Sequence, residues 1–194
     1  MLKLSSENKK FIKVILDGFF RIYLAEFFSK FKPKKYKAFS KYSIVCPIYN
    51  VEKYLDDFFK SIIKQRLDFK NNIFIICVDD GSTDDSAKII KKYQKKYPKN
   101  ITYLYKANGG LSSARNYGLK FVKTHWLCFT DPDDFLNRDY FYEVDRNIRK
   151  YNNENISMLA TNYIFYFEKY KIYKDNHPLN FKFKKDSVFV NKNL

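Results

Sequence analysis

The chain has 194 residues, a net charge of +16 and an aromatic content of 20%. That length accommodates one domain with a substantial core and little besides. The three cysteines, Cys46, Cys77 and Cys128, lie in separate short apolar runs with no CxxC pair, which sets aside a disulfide scaffold or a zinc ribbon in favour of buried free thiols.

The charge is concentrated at the front. Residues 1–41 carry ten Lys and one Arg against Glu7, Asp17 and Glu26. Such a balance suits nucleic acid, an anionic membrane surface or an anionic sugar nucleotide. No zinc finger or aromatic RNP strand is present, so nucleic acid beyond the nucleotide itself ranks last. Residues 11–28, FIKVILDGFFRIYLAEFF, are apolar but interrupted by Lys13, Asp17, Arg21 and Glu26. These charges argue against a membrane-spanning helix and against a signal peptide. Lys13, Asp17 and Arg21 share one helical face, and lysines flank the segment on both sides. Two readings stand: an amphipathic helix lying on an anionic membrane surface, or a helix packed on protein. Residues 1–40 are therefore set apart as a basic amphipathic helix and linker, and residues 41–194 as the domain.

From there strand and helix patterns alternate. Residues 43–46 form an apolar run closed by Pro47, and residues 51–66 carry the core-facing helical stripe Leu55, Phe58, Phe59, Ile62 and Ile63. Residues 73–78 read as a strand covered on both faces. A turn at 79–84 leads to a helix over 87–97, then to a strand at 101–105. After the loop Asn108-Gly109-Gly110, Ser112 or Ser113 is the expected cap of a helix reaching about Val122. The strand 126–129 follows, then a helix from Asn137 or Arg138 to Tyr151 with Phe141, Val144 and Ile148 on one side. This βα order predicts an α/β fold: a Rossmann-like, mostly parallel sheet with helices on both faces. Residues 156–160, 163–167, 170–173 and 187–190 are β-like and aromatic, and a hairpin or meander is expected among them.

Polar groups gather where the predicted strands end. The first strand delivers Pro47, Tyr49, Asn50 and Glu52, the second Asp79 and Asp80, the fourth Asp131, Pro132, Asp133 and Asp134. In a parallel sheet these ends share one rim, where ligands bind. Three carboxylates within four residues repel one another unless a cation neutralises them, and oxygen ligands on a turn suit Mg²⁺ or Mn²⁺. An acidic turn opening a helix is the plain alternative. Gly110 permits close backbone approach, and Arg115 follows one turn into the next helix as a diphosphate or base contact. No GxGxxG, GxxxxGK[ST] or serine elbow is present.

Residues 42 to about 145 resemble the nucleotide-binding half of family 2 glycosyltransferases, of the glycosyltransferase-A fold. The matching stretches run from Ser43 to Leu55, Val78 to Ser86, Asn108 to Leu119 and Phe129 to Asp134. The resemblance implies an inverting hexosyl transfer from a nucleotide-sugar donor, commonly a UDP-sugar, with Mn²⁺ or Mg²⁺. The acceptor it implies is a saccharide or lipid-linked saccharide in cell-surface polysaccharide or capsule synthesis. The free thiols point to the cytoplasm, and the amphipathic pattern of residues 11–28 to the inner face of the cytoplasmic membrane. By position, Pro47, Tyr49, Glu52 and Asp80 fall at the uracil or ribose, and Asp131 and Asp133 form the DxD pair. Asp133 is then the direct metal ligand, and Asp131 a ribose or metal-water contact.

Inverting transfer also needs a general base. None of the acids after Asp134 matches the family's downstream acidic pair, so the expectation is a chain that stops short of a complete acceptor half, with Asp134 as a contributor. The rival expectation is a nucleotide-sugar-binding domain that needs a further segment or partner for turnover. A third is a membrane-docking module centred on residues 11–28.

Overall fold

The computed structural model describes residues 36–152, 158–159, 165–167 and 172–174. The expected helix at 11–28, the strand-like stretch at 187–190 and most of the one at 156–160 lie outside the described residues. Apart from Tyr36 and Lys37, the described residues belong to the unit Ala38–Leu194.

Four strands, β1 (Tyr42–Ile48), β2 (Ile73–Asp79), β3 (Ile101–Tyr105) and β4 (Trp126–Phe129), form one sheet in the order β3-β2-β1-β4. All pairings are parallel. Every residue of β1 is buried, so both faces of this central strand are covered, as its unbroken apolar run demands. The helices are α1 (Glu52–Ile63), α2 (Phe69–Asn72), α3 (Ser86–Lys96), α4 (Leu111–Leu119) and α5 (Tyr140–Lys150). One face of the sheet packs Val45, Ile76 and Val78 against Ala114 of α4. A methyl group at Gly118 would lie 2.5 Å from Val45 Cγ1 and 3.0 Å from Val78 Cγ2, so the glycine lets α4 approach the sheet closely. Helices α1 and α3 pack together, with the Phe59 and Tyr93 rings stacked at 4.3 Å. A separate antiparallel hairpin joins β5 (Phe165–Phe167) to β6 (Ile172–Lys174), as the aromatic pattern there predicts.

Three boundaries depart from the sequence reading. Pro47 does not close β1 but lies inside it, opposite Val78. Val45 O points toward β4, where it accepts from Thr130 N at 3.3 Å, and Ile48 O points toward β2, accepting from Asp80 N at 2.8 Å. Alternation along the strand turns Pro47's missing N–H to the β4 side, beyond the last pair Val45↔Phe129, so no ladder bond is lost. Helix α4 is capped by neither serine: its N-cap is Gly110, at φ 86°, with no side-chain cap. The short helix α2, absent from the sequence reading, is capped by Asp68, which accepts from Lys70 N at 3.1 Å.

The buried side of α5 is Phe141, Asp145 and Ile148 rather than the expected apolar trio with Val144. Asp145 is fully buried. Its carboxylate accepts from Phe39 N at 2.9 and 3.0 Å, Ser40 N at 3.0 Å and the Tyr42 hydroxyl at 2.6 Å. Those donors satisfy a charge that burial would otherwise make costly, and they fasten the entry of β1 to α5.

Candidate functional site

The strand order reverses between β1 and β4, so the loops leaving their carboxyl ends diverge and open a crevice. β1 runs three residues beyond its last pairing with β4. Past Thr130 the chain turns at Asp131-Pro132-Asp133-Asp134, with Asp134 N donating to Asp131 O at 3.1 Å. Proline at the second position of that turn has the backbone angle the turn requires. The predicted acidic turn is thus in place at the rim.

Arg115, one turn into α4, reaches this turn: its Nη2 donates to Asp131 Oδ1 at 2.7 Å. The guanidinium also lies 5.6 Å from the centre of the half-exposed Phe129 ring. Its Nε is buried without a hydrogen-bond partner. Asp133 and Asp134 remain exposed. The Asp134 carboxyl is pushed up by partial burial and by the charges of Asp133 and Asp131. Negative charge at this turn is therefore under-compensated by the protein.

The loop after β1 is held by the loop after β2. Asn50, at φ 53°, accepts from Thr83 N at 2.8 Å, while its own N–H donates to Ser82 Oγ at 3.2 Å. Val51 N donates to Ser86 Oγ at 3.1 Å. Glu52 N donates to Asp84 Oδ2 at 3.0 Å, and Glu52 Oε2 accepts from Asp85 N at 2.8 Å. Burial by itself would raise the Asp84 carboxyl, but the Ser86 hydroxyl and nearby amides hold it below its ordinary value. Asn50 and Glu52, singled out as nucleotide contacts, each commit an oxygen to this clasp. Just ahead of them, past the end of β1, Tyr49 stays 52% exposed and leaves a ring available to cover a planar base, while Pro47 is buried.

Asp79 and Asp80 are both buried. Asp79 accepts from Ser82 N at 2.8 Å and from the Tyr103 hydroxyl at 2.7 Å, fixing the turn after β2. Asp80 accepts from Gly110 N at 2.7 Å and from Gly109 N at 3.0 and 3.1 Å, and pairs with the Lys106 ammonium. Burial alone would raise its carboxyl; these donors outweigh that and hold it low. Lys106 escapes sequence reasoning because nothing marks one lysine among 37 basic residues.

The structure therefore makes three groupings of the singled-out residues: Arg115 with Asp131, Asp80 with Gly110, and Asn50 and Glu52 with the segment 82–86. Among the described residues no three His, Cys, Asp or Glu side chains converge on one point. The acidic turn nonetheless fits a hard divalent cation that takes further oxygens from a diphosphate and water. It offers oxygen donors only, and it carries the uncompensated charge that raises Asp134. The cysteines offer nothing here: burial pushes the Cys46 thiol well up, and that of Cys128 up to about 11.

The profile of Glycosyl transferase family 2 matches residues 43–192. The chain belongs to that family. It is similar to two Bacillus subtilis proteins named for minor teichoic acid biosynthesis. It is 47% identical to GgaB over 58% of this chain and 12% of that protein, and 35% identical to GgaA over 77% of this chain and 33% of that protein. The chain thus spans a third or less of the length of these relatives. Among solved structures, S. aureus TarS 1–349 in complex with UDP aligns at a TM-score of 0.53 and 29% identity, over 58% of this chain and 33% of that one. The same protein with UDP-GlcNAc aligns at 0.53 and 33% identity, over 58% and 32% of the two chains. The parallel sheet with flanking helices is thus the glycosyltransferase-A type of fold that the motifs imply. No helix among the described residues is long and apolar enough to cross a membrane.

Proposed function

We propose that this family 2 glycosyltransferase chain binds a UDP-sugar and transfers the sugar, with inversion and with Mn²⁺ or Mg²⁺, to a saccharide or lipid-linked acceptor in cell-surface polysaccharide synthesis. The observation that carries the reading is the Arg115–Asp131 pair beside Asp133 at the switch point of the sheet. It is supported by the likeness to a protein solved with UDP and with UDP-GlcNAc, and by relatives named for teichoic acid biosynthesis.

In this reading each group has a task its surroundings permit. Tyr49 covers the base, and Asp131, held by Arg115, accepts from the ribose or from a metal-bound water. Arg115 places its guanidinium at the diphosphate, and Asp133 holds the cation. A bound cation would neutralise the charge that gathers on the diphosphate as the glycosidic bond breaks. The proton of the acceptor hydroxyl needs a base. Of the described acids beyond the turn, Asp139 faces Arg66, Glu143 faces Arg146, and Asp145 is buried under its donors. Asp134, with its raised carboxyl, is the described acid we assign as a contributor to that step.

Those engaged acids also favour a second reading, a nucleotide-sugar-binding domain that turns over only with a further segment or partner. The test is incubation with UDP-GlcNAc, Mn²⁺ and a polyol-phosphate acceptor, read as UDP release and compared with calorimetric binding of UDP. Release supports the transferase, binding without release supports the second reading, and neither overturns both. We also place the protein on the inner face of the membrane through residues 11–28, on the strength of their amphipathic pattern and flanking lysines. Liposome flotation tests this, and undiminished binding by a chain lacking residues 1–40 excludes it.

A further inference from the structure

We propose that Lys106 is a positioning residue for Arg115, acting through Asp80 and the Gly109-Gly110 loop; the proposal rests on the donor-binding reading above. The Lys106 ammonium donates to Asp80 Oδ1 and, at 2.5 Å, to Ala107 O. Both side chains are largely out of water, at 18% and 5% exposure. A carboxylate that deep needs compensation, and the ammonium supplies the only full charge in its set of donors; Gly109 and Gly110 supply the rest.

The same contacts fix the start of α4. Gly110 is its N-cap and has a positive φ, with no side chain capping the helix. The bond from Gly110 N to Asp80 therefore anchors the N-cap residue's own N–H and with it the point at which the helix begins. Gly109 packs directly on the lysine: a methyl group there would lie 2.8 Å from Lys106 Nζ and 2.9 Å from Ser113 Oγ. The first helical bond, Ala114 N to Gly110 O at 3.0 Å, passes the placement on. The next residue is Arg115, which spans from this turn to Asp131. Its guanidinium thus sits where Lys106 and Asp80 hold the loop.

The lysine's backbone is secured independently, because Lys106 N donates to Asp79 O at 2.9 Å. Removing the ammonium therefore loosens the loop without unpinning the end of β3. Lys106→Met keeps most of the apolar stem and removes the charge.

The experiment is a double-mutant cycle on UDP binding in Mn²⁺, using the full chain with Lys106→Met, Arg115→Ala and both together. The expected result is a loss of about tenfold in affinity for Lys106→Met alone and almost no further loss when it is added to Arg115→Ala. Amide exchange at Gly109 and Gly110 should quicken in Lys106→Met, and Lys106→Gln, which retains a donor, should recover part of the affinity. Additive losses, unchanged exchange at the two glycines, or wild-type affinity in Lys106→Met would each overturn the proposal. If the methionine variant does not fold, the glutamine variant carries the same cycle. Absence of UDP binding by the wild-type chain is a separate result: it removes the donor reading and this proposal with it, whatever the glycine exchange shows.

Discussion

Arg115 Nη2 donates to Asp131 Oδ1 at 2.7 Å, joining the first turns of α4 to the acidic turn that follows β4. Both side chains keep a substantial share of their surface in water, 31% and 43%, so the pair contributes only about 0–1 kcal/mol to folding. Its worth lies in geometry. Arg115→Ala should leave Tm within a few degrees of wild type while weakening UDP binding by about tenfold or more. Arg115→Lys should rescue little, since an ammonium cannot present the planar fork that spans Asp131 and a phosphate. Thermal melts beside calorimetry separate the two effects.

Asp145 should behave in the opposite way. Asp145→Asn replaces one acceptor oxygen by a donor facing the N–H groups of Phe39 and Ser40 and the hydroxyl of Tyr42. The expected cost is about 2–3 kcal/mol, or a Tm lower by about 4–12 °C for a chain of this size. UDP affinity below the melting range should not change.

Gly118 tests the packing of α4 on the sheet. Gly118→Ala forces a methyl group against Val45 and Val78 and should destabilise by about 1–3 kcal/mol through overpacking. Val45→Ala in the same chain opens room for it, so the double variant should lose less than the sum of the two single losses in denaturant melts.

The acids predict opposite pH responses. Asp80's carboxyl is held below its ordinary value, so its contribution is present at neutral pH and is lost as pH falls through the ordinary carboxylate range toward the lowered value. Asp80→Asn should therefore lower Tm at pH 7, with a deficit that shrinks below about pH 4. Asp134's carboxyl is raised, so its ionised form is disfavoured in the folded chain at neutral pH and the penalty is relieved as pH falls. Asp134→Asn should raise Tm at pH 7 and give no gain near about pH 3. Melting curves across this window check both signs.

Much of the fold was legible because the strands carry unbroken apolar runs and the helices a 3.6-residue stripe. The bounds of β3 and β4 fall where the sequence places them, and those of α3 within one residue. Pro47 is tolerated inside β1 because a missing N–H forbids pairing only on the side to which it points, and on that side the pairing with β4 has already ended at Val45↔Phe129. The start of α4 departs from the serine-cap expectation because Gly110 offers no side chain, and its own N–H is fixed by Asp80, thirty residues away in sequence. Asp145 sits at a core position of α5, where its hydrogen bonds come from distant residues 39, 40 and 42 and the Arg149 guanidinium lies 4.0 Å away; no local pattern announces those distant donors. At the site, the motifs named the acidic turn, Tyr49 and Arg115. The oxygens that Asn50, Glu52 and Asp80 commit to neighbouring loops emerge only from the fold.

The most direct test of the account is calorimetric titration of UDP with and without Mn²⁺, in the wild-type chain and in Asp133→Asn. The account predicts wild-type binding that Mn²⁺ tightens by about tenfold, equivalent to about 1.4 kcal/mol, and an Asp133→Asn variant no less stable than the wild type in which that dependence is gone. Metal-dependent binding that survives Asp133→Asn, or a wild-type chain that takes up no UDP, would contradict it.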